Sequence, residues 1–397
     1  MYNDENNKMK KITIILILLF CCYNLNSLSA QDFEGLKYGT DSTFDIGSWN
    51  LKEFPTNKDN TLIHLTKILK KIDLDVIAIQ EIKDSLKFIE LAELNPEYKA
   101  YWKINYILGL GFLVKKNIEV IEIKEIFNFP KYWSIFPRAP LILEIIENGN
   151  KIIIINNHLK CCGDGILDTN DSKDEETTRI NAIKLLKKYV DENYQNEKVI
   201  LLGDFNDNLA DDPQNNIFGE ILNDNNYTIL DYNIAFKDST YWSYPSWPSH
   251  IDHIIINNNL ESEFNLLNKN SINEAVKVLK IDDYYQNGLF DYFKNISDHR
   301  PIVAKFDLSN KTSIKLDSDN KLTIYPNPTY SNDIKVNITG IEYANITIID
   351  ILGYQILQLP NFENNSNLDI SSLDNGIYLI QVQTNNKTYS QKLIVNR

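Results

Sequence analysis

Cysteine is scarce in this chain, and the few cysteines present exclude a disulfide framework. Two of the four lie in an apolar run near the N-terminus, and the other two are the adjacent Cys161 and Cys162. Two neighbouring cysteines cannot cross-link distant segments, and a bridge between them is strained. We therefore predict two neighbouring thiols, with a vicinal disulfide as the alternative.

Hydrophobic runs long enough to cross a membrane are also lacking. The run 12–22 follows three lysines and precedes small residues up to Ala30. It is too short for a membrane-spanning helix, which needs about 20 apolar residues. This pattern is typical of a secretory signal peptide. We predict a signal peptide over 1–30, cleavage before Gln31, and a mature protein with no stable membrane span.

Positive charge is outnumbered by negative charge. The chain has 40 Lys and Arg residues against 54 Asp and Glu residues, a formal net charge of −14. Residues 1–30 carry three lysines and two acids, so the mature protein has a net charge of about −15. An acidic body repels polyanions. A nucleic-acid substrate would need a local basic patch or metal ions, and its affinity should fall with salt.

Length and hydrophobic patterning predict one large α/β domain followed by a smaller one. The chain has 397 residues, 43% of them hydrophobic, and no evident internal repeat. Apolar residues at helical spacing predict helices over 60–72 and 178–190, covering a sheet. Further strands are predicted over 111–114, 139–146, 251–256 and 302–306. We place the large domain at 32–308.

A polar segment over 309–321 predicts a linker. Beyond it, short alternating strands separated by turn residues predict a small all-β unit over 322–397. Its predicted strands cover 334–338, 344–351 and 376–384.

Four strand-like runs of the large domain each end on a residue that can handle a divalent metal or a proton. These residues are Asn50, Glu81, His158 and Asp204. We expect them to emerge together at one edge of a sheet. Phosphodiester hydrolysis needs a hard cation, an activated water and a stabilised leaving oxygen. For Glu81 taken alone, a salt-bridged strand end is the alternative.

Short segments in the large domain carry these residues and others of the same chemistry. In chain order they are Trp49-Asn50-Leu51, Gln80-Glu81-Ile82, Asn157-His158-Leu159, Gly203-Asp204-Phe205-Asn206, Ile251-Asp252-His253-Ile254 and Ser297-Asp298-His299-Arg300-Pro301. As a set they resemble the endonuclease/exonuclease/phosphatase superfamily. The resemblance implies the two-sheet α/β (α+β) sandwich of DNase I-like proteins.

The resemblance also implies roles for individual residues. The metal, Mg²⁺ with Ca²⁺ or Mn²⁺ as alternatives, would be held by Asn50, Glu81 and Asp298. Catalysis, by in-line attack of water on the phosphodiester, would be carried by His158, Asp204, Asn206, Asp252 and His299.

With a histidine at position 158, the chain resembles the branch of the superfamily that contains DNase I, the sphingomyelinases and the inositol polyphosphate phosphatases. Arg138 resembles the phosphate-contacting arginine of the pancreatic-type deoxyribonucleases, with a plain surface arginine as the alternative. That type has an acid partner for the histidine, yet no acid lies between Glu97 and Glu119. We expect His158 to find an amide such as Asn105, or water, instead.

An aromatic loop over 241–250 precedes the Asp252 segment. We expect Trp242 and Trp247 to contact substrate by stacking on bases or a sugar, with a rigid loop packed on itself as the alternative. His250 and His253 lack further identifiable ligands for a zinc site.

The segments 322–328, 349–353 and 373–379 resemble the C-terminal sorting domain of the type IX secretion system. The resemblance implies a β-sandwich, the secretion machinery as partner, and a protein that is secreted or held at the outer cell surface. The alternative is an accessory β-sandwich.

Together these features predict a secreted, divalent-metal-dependent nuclease that hydrolyses extracellular DNA, or RNA, as a monomer. The alternatives are a sphingomyelinase-like lipid-headgroup phosphodiesterase or a phosphatase of the same superfamily. An inactive surface-displayed adhesin is a further alternative, against which the full set of site residues argues.

Overall fold

A computed structural model of the protein describes residues 33–105, 108–268, 275–308, 322–338, 342–350, 354–384 and 388–397. The chain divides into two compact units between Lys311 and Thr312. The predicted signal peptide and linker, and the side chain of Asn105, lie outside the described residues. The domain limits given above therefore stay predictions.

Strands dominate the first unit. They are β1 (Phe44–Phe54), β2 (Val76–Ile82), β3 (Tyr98–Asn105), β4 (Leu108–Lys115), β5 (Glu119–Glu125), β6 (Leu141–Glu147), β7 (Asn150–His158), β8 (Lys198–Asp204), β9 (Tyr227–Ile229), β10 (Asp252–Asn257), β11 (Val276–Val278) and β12 (Ile302–Phe306). They form two six-stranded sheets, in the orders β11-β12-β1-β2-β4-β3 and β5-β6-β7-β8-β10-β9. The pairs β1–β2 and β7–β8 are parallel, and their neighbours in each sheet are antiparallel.

The helices described in the first unit are α1 (Lys58–Ile72), α2 (Ser85–Leu94), α3 (Glu175–Asn193), α4 (Gly219–Leu222), α5 (Tyr232–Ala235), α6 (Glu261–Asn268) and α7 (Leu289–Asn295). Single 3₁₀ turns occur at Pro130–Tyr132, Ser239–Tyr241, Asn258–Leu260 and Ile281–Tyr284. The predicted helices over 60–72 and 178–190 are confirmed as α1 and α3, each a little longer than predicted.

Three apolar layers hold the first unit together. Alternate residues of the two sheets, such as Ile46 and Ile154, meet in the layer between them. Helix α1 covers the outer face of the first sheet, and α3 covers that of the second. Strands buried on both faces have to be continuously apolar, which explains the long hydrophobic runs of β2, β7 and β8. Each fully buried Ile or Leu contributes about 1.5–3 kcal/mol. The predicted two-sheet sandwich is confirmed.

The second unit is all-β, as predicted. Its strands are β13 (Leu322–Tyr325), β14 (Asp333–Ile338), β15 (Tyr343–Asp350), β16 (Gln355–Glu363), β17 (Asn367–Asp369), β18 (Gly376–Gln383) and β19 (Thr388–Val395). They form sheets in the orders β13-β14-β17 and β16-β15-β18-β19. In β14, buried and exposed residues alternate, and Ile334, Val336 and Ile338 enter the core.

None of the helices in the described part of the chain has the length and apolar character needed to cross a membrane.

Candidate active site

The four strand-end residues do come together, but from two sheets rather than one. Asn50 and Glu81 lie near the ends of the parallel pair β1–β2, and His158 and Asp204 end the parallel pair β7–β8. Each parallel pair ends at one edge of its own sheet. The Asn50 Nδ2 atom donates to Asp204 Oδ2 at 2.9 Å and so joins the two edges. The expectation of a single sheet edge was wrong, because the site lies between the layers.

Irregular backbone at the first edge aims the Glu81 carboxylate. The β1–β2 register shifts after Asn50, and the β2–β4 register shifts around Glu81, whose φ is 64°. Lys52 and Glu53 also have positive φ angles, of 42° and 48°. Such angles are uncommon for residues other than glycine. In this conformation, Glu81 Oε2 accepts a hydrogen bond from the Glu53 N–H at 2.9 Å, and Oε1 accepts one from the Asn50 side-chain amide at 3.2 Å. Bulges of this kind commonly re-aim side chains beside active sites.

Glycine is required directly before Asp204. Gly203 has a φ of 141°, and a Cβ atom there would lie 2.0 Å from the backbone oxygen of Asn157. Because glycine has no Cβ atom, β7 and β8 can pair closely at this point, and His158 lies opposite Asp204. After the strand, Asn206 has a φ of 56°, and its N–H donates to Asp204 Oδ1 at 2.9 Å.

Asp204 lies at the centre of the site. Its Oδ2 atom is 3.6 Å from His158 Nε2 and 3.8 Å from His299 Nε2, besides the bond from Asn50. Burial, reinforced by the nearby charge of Asp252, raises the pKa of Asp204 to about 7. A carboxyl group with such a pKa can accept or release a proton near neutral pH.

His299 is held on both sides. Its Nδ1 atom is 2.8 Å from Asp252 Oδ2, and its backbone oxygen accepts hydrogen bonds from Trp49 Nε1 and the Tyr292 hydroxyl. Burial alone would lower the pKa of His299, but the carboxylates of Asp252 and Asp204 outweigh it and raise the pKa to about 10. His299 is therefore an imidazolium at neutral pH.

His158 has the opposite character. It is buried, and its Nε2 atom lies 3.8 Å from Glu81 Oε1. Burial, with the charges of Arg138 and His299, lowers its pKa well below the usual value, so the ring is neutral. Its Nδ1 atom is buried and has no hydrogen-bond partner among the described residues.

The three predicted metal ligands are not all in contact. Asn50 and Glu81 are hydrogen-bonded to each other, whereas Asp298 forms an ion pair with Lys52 Nζ at 2.8 Å. The Asn50 amide oxygen accepts the Lys52 N–H at 2.9 Å. Beside them, Asp204, Asp252 and His299 present potential ligand atoms within 4.8 Å of one another. In this cluster, Asp252 Oδ1 is buried and accepts no hydrogen bond from any described residue. Acidic and histidine groups able to hold a cation are thus present.

A cavity of about 680 Å³ opens over the site. Arg138 and Trp247, two of the residues predicted to contact substrate, line this cavity. The Trp247 residue is 79% exposed at the rim of the cavity. Trp242 does not line this cavity, and its place is taken by Tyr244 of the same loop. The Tyr244 ring lies 4.6 Å from the His299 ring, centroid to centroid.

Several supporting residues carried no role in the sequence interpretation. Ser297 Oγ donates to the Asn50 backbone oxygen at 2.6 Å and accepts the His299 N–H at 3.0 Å. Arg300 forms a buried two-pronged ion pair with Asp282, with both bonds at 2.6 Å. Ser297 and Arg300 flank the Asp298-His299 pair in sequence, and that adjacency was the available signal. Nothing local marks Asp282.

The histidines at 250 and 253 gain one further partner. Asp231 Oδ2 lies 2.9 Å from His250 Nε2 and 2.6 Å from His253 Nδ1. The other ring nitrogens face the Ser243 N–H and the Asp207 backbone oxygen. Every ring nitrogen of the two histidines is therefore hydrogen-bonded to protein. This buried cluster connects the segments around residues 207, 231 and 243–253, which adjoin the site.

Cys161 and Cys162 line the cavity as free, exposed thiols, with their Sγ atoms 3.1 Å apart.

Comparison with known families agrees with this geometry. Residues 47–299 match the model of the endonuclease/exonuclease/phosphatase family, and residues 323–396 match the secretion system C-terminal sorting domain. The chain belongs to the endonuclease/exonuclease/phosphatase family and carries a type IX sorting domain at its C-terminus. That sorting domain indicates export to the cell surface or beyond.

Solved structures resemble part of the chain at low identity. An AP endonuclease from Archaeoglobus fulgidus is 14% identical, with 67% of this chain and 100% of that chain covered and a TM-score of 0.49. TDP2 of D. rerio, complexed with a single-strand DNA product, is 15% identical over 67% and 99%, with a TM-score of 0.48. The 3' phosphatase NExo from Neisseria, bound to a product DNA hairpin, is 18% identical over 66% and 99%, with a TM-score of 0.47. A comparison with curated proteins gives no match.

Proposed function

We propose that the protein is a secreted, divalent-metal-dependent phosphodiesterase that hydrolyses extracellular DNA, with RNA as a second substrate. One observation carries the proposal. Asp204, with a pKa of about 7, lies between a neutral histidine, His158, and a protonated one, His299, beneath an open cavity. A base, a fixed positive charge and a neutral hydrogen-bonding ring at one point suit the attack of water on a phosphodiester.

The residues present fit a hard divalent cation. Glu81 presents a carboxylate to the cavity, and Asn50 and Asp298 add an amide and a second carboxylate around the same strand ends. Oxygen donors of this kind prefer Mg²⁺, with Ca²⁺ or Mn²⁺ as alternatives. Such a cation, when bound, neutralises phosphate charge and polarises the phosphorus–oxygen bonds.

The chain's own residues account for the proton and charge chemistry. Asp204 takes a proton from the attacking water, since its pKa lies near the working pH. The imidazolium of His299, oriented by Asp252, and the amide of Asn206 stabilise the negative charge of the transition state. Neutral His158 contributes a hydrogen bond rather than a charge. Arg138 binds a substrate phosphate at the cavity wall.

Aromatic rings at the cavity rim suit a nucleic acid. Trp247 is exposed and Tyr244 is partly exposed, and both line the cavity. Bases stack on such rings without a strong sequence preference. The exposed Trp247 also favours one second candidate, a lipid-headgroup phosphodiesterase that inserts this ring into a membrane surface.

We further propose that the signal peptide over 1–30 takes the chain across the inner membrane and that the type IX machinery then exports it as a monomer. The sorting domain supports the second step.

One panel tests the function. The mature protein is incubated with plasmid DNA, RNA, sphingomyelin and an inositol phosphate, in Mg²⁺, Ca²⁺ or EDTA, beside its Asp204→Ala variant. We expect DNA cleavage that EDTA abolishes and that the variant lowers by orders of magnitude with its fold intact. Cleavage that survives EDTA would contradict the metal requirement. Sphingomyelin turnover without DNA cleavage would favour the lipid enzyme.

A further inference from the structure

A second acidic cluster lies where the loop after β7 meets the N-terminus of α3. Asp164, Asp174 and Glu176 each offer a carboxylate oxygen, and these three atoms lie within 4.8 Å of one another. None of the three belongs to the catalytic set. Asp164 and Glu176 nevertheless line the same cavity as Asp204.

Each carboxylate uses one oxygen to order the loop or helix α3. Asp164 Oδ1 accepts the Ile166 N–H at 3.0 Å, and Asp174 Oδ2 caps α3 by accepting the Thr177 N–H at 2.6 Å. Glu176 Oε1 accepts the Gly165 N–H at 2.9 Å. These bonds fix the positions of the carboxylates and leave the second oxygen of each for a ligand.

A separate observation concerns one oxygen atom of the cluster. The Glu176 side chain is only 2% exposed, yet its Oε2 atom accepts no hydrogen bond from any described residue. Leaving a buried charged oxygen unsatisfied costs more than the roughly 1–3 kcal/mol of a neutral group. A bound cation removes that cost.

The loop backbone is shaped to pass close to this carboxylate. Gly163 has a φ of 105°, and a Cβ atom there would lie 2.2 Å from Glu176 Oε1 and 2.7 Å from Oε2. Any other residue would push the loop away from Glu176. Arg179 offsets only part of the charge of the three carboxylates, because its single guanidinium pairs with Glu176 Oε1 at 2.8 Å and also with Asp207 Oδ2 at 2.7 Å.

We propose that Asp164, Asp174 and Glu176 bind a calcium ion, separate from the catalytic cation, that fixes the 161–174 loop against α3 as a wall of the cavity. Calcium takes oxygen ligands at about 2.4 Å in irregular geometries, so ligand oxygens lie up to about 4.8 Å apart across the ion. Magnesium demands a near-ideal octahedron with bonds of about 2.1 Å, and fits such a cluster less well. The bound ion shapes the cavity wall without touching the reacting atoms.

Calcium binding is measured in a Glu81→Gln background, which removes one carboxylate ligand of the catalytic cation and so weakens binding at the catalytic site. The EDTA-stripped, purified chain is titrated with CaCl₂ by calorimetry. We expect the Glu81→Gln protein to bind calcium, and the added pair Asp164→Asn and Asp174→Asn to weaken that binding ~tenfold or more. Asparagine at 174 keeps the helix cap, so this variant is expected to fold.

The matched control is Asp168→Asn with Asp171→Asn, two exposed acids of the same loop. It removes the same charge but should leave calcium affinity and the calcium-dependent rise in Tm intact. Equal calcium affinity in the test and control variants would overturn the proposal, as would a folded Glu81→Gln protein that binds no calcium. Because the readout is binding, it does not depend on whether the protein proves to be a nuclease.

Discussion

The Asp252→Asn substitution tests the charge on His299. Asparagine keeps the shape of Asp252 but removes the charge that faces His299 Nδ1 at 2.8 Å. With Asp252 present, the pKa of His299 is about 10, so the ring is protonated throughout the neutral range. Without it, burial acts against a weaker opposing charge, and the pKa falls toward its ordinary value or lower.

The loss of activity is calculable from this change. At pH 8 a histidine with the ordinary pKa of about 6.5 is protonated in only about 3% of molecules, so the lost charge alone costs roughly 30-fold in kcat. Poorer orientation of the ring adds to this, and general acid–base effects reach about 10²–10⁴-fold. We expect a total loss in that range. The ratio of variant to wild-type activity should rise as the pH falls from 8 to 6, because protonation of His299 returns.

The kcat of each variant at pH 6 and pH 8 is measured by hydrolysis of a fluorogenic DNA substrate at saturating Mg²⁺. Circular dichroism checks that each variant is folded. Asp45→Asn is the matched control, since Asp45 is also a fully buried strand aspartate. It lies near the start of β1, on the side away from Asn50 and the site. It should keep wild-type kcat. An Asp252→Asn variant that retains more than a third of wild-type kcat at pH 8, or whose ratio is the same at pH 6, would refute the role given to the His299 charge.

Three further predictions concern stability and substrate binding. Gly203→Ala places a Cβ atom 2.0 Å from the Asn157 oxygen, and urea titration should show a loss of several kcal/mol or failure to fold. Burial would raise the pKa of Glu144, but hydrogen bonds from two lysines and a tyrosine outweigh burial and lower the pKa to about 2. The ionised Glu144 therefore stabilises the folded protein fully above the ordinary pKa of a glutamate, and this contribution is lost as the pH falls toward 2. Glu144→Gln should cost about 2 kcal/mol at pH 7, after allowing for solvent around the lysines, and little near pH 2, as measured by urea unfolding. Trp247→Ala should raise the KM for single-stranded DNA ~tenfold with kcat unchanged, whereas Trp133→Ala, an exposed ring off the cavity, should not.

The framework of the site was predictable because strand ends leave strong sequence signals. Strands buried on both faces read as continuous apolar runs, and the residues that end them stand out against that background. Gly203 before Asp204 has a local steric cause, since at its φ of 141° a Cβ atom would meet the Asn157 oxygen. Patterning alone therefore predicted a sheet-rich α/β domain and its four strand-end residues, whereas the two-sheet sandwich and the residues Asp252, Asp298 and His299 followed from the resemblance to the family.

The geometry between those residues was not predictable, because it depends on long-range contacts and local backbone strain. No propensity marks Glu81 for a positive φ angle, yet that angle sets the direction of its carboxylate. Asp231 joins His250 and His253 across about 20 residues, so spacing alone could not reveal it. In the aromatic loop, composition identified the segment, but only the fold decides that Tyr244 rather than Trp242 faces the cavity.

The charge balance of the cavity explains how an acidic protein could bind a polyanion. Four groups of the cavity lining are positive, namely Lys52, Arg138, Arg179 and the His299 imidazolium. Eight acids line the same cavity, namely Glu53, Glu81, Asp164, Glu176, Asp204, Asp207, Asp211 and Asp298. Acids therefore outnumber positive groups, and the fixed charges give a phosphodiester no net attraction within a body of net charge −14. A divalent cation shifts the balance by two charges at the point where the phosphate must lie. Substrate affinity should therefore depend on the cation as much as the chemical step does, and KM for DNA should rise when the cation concentration falls below saturation.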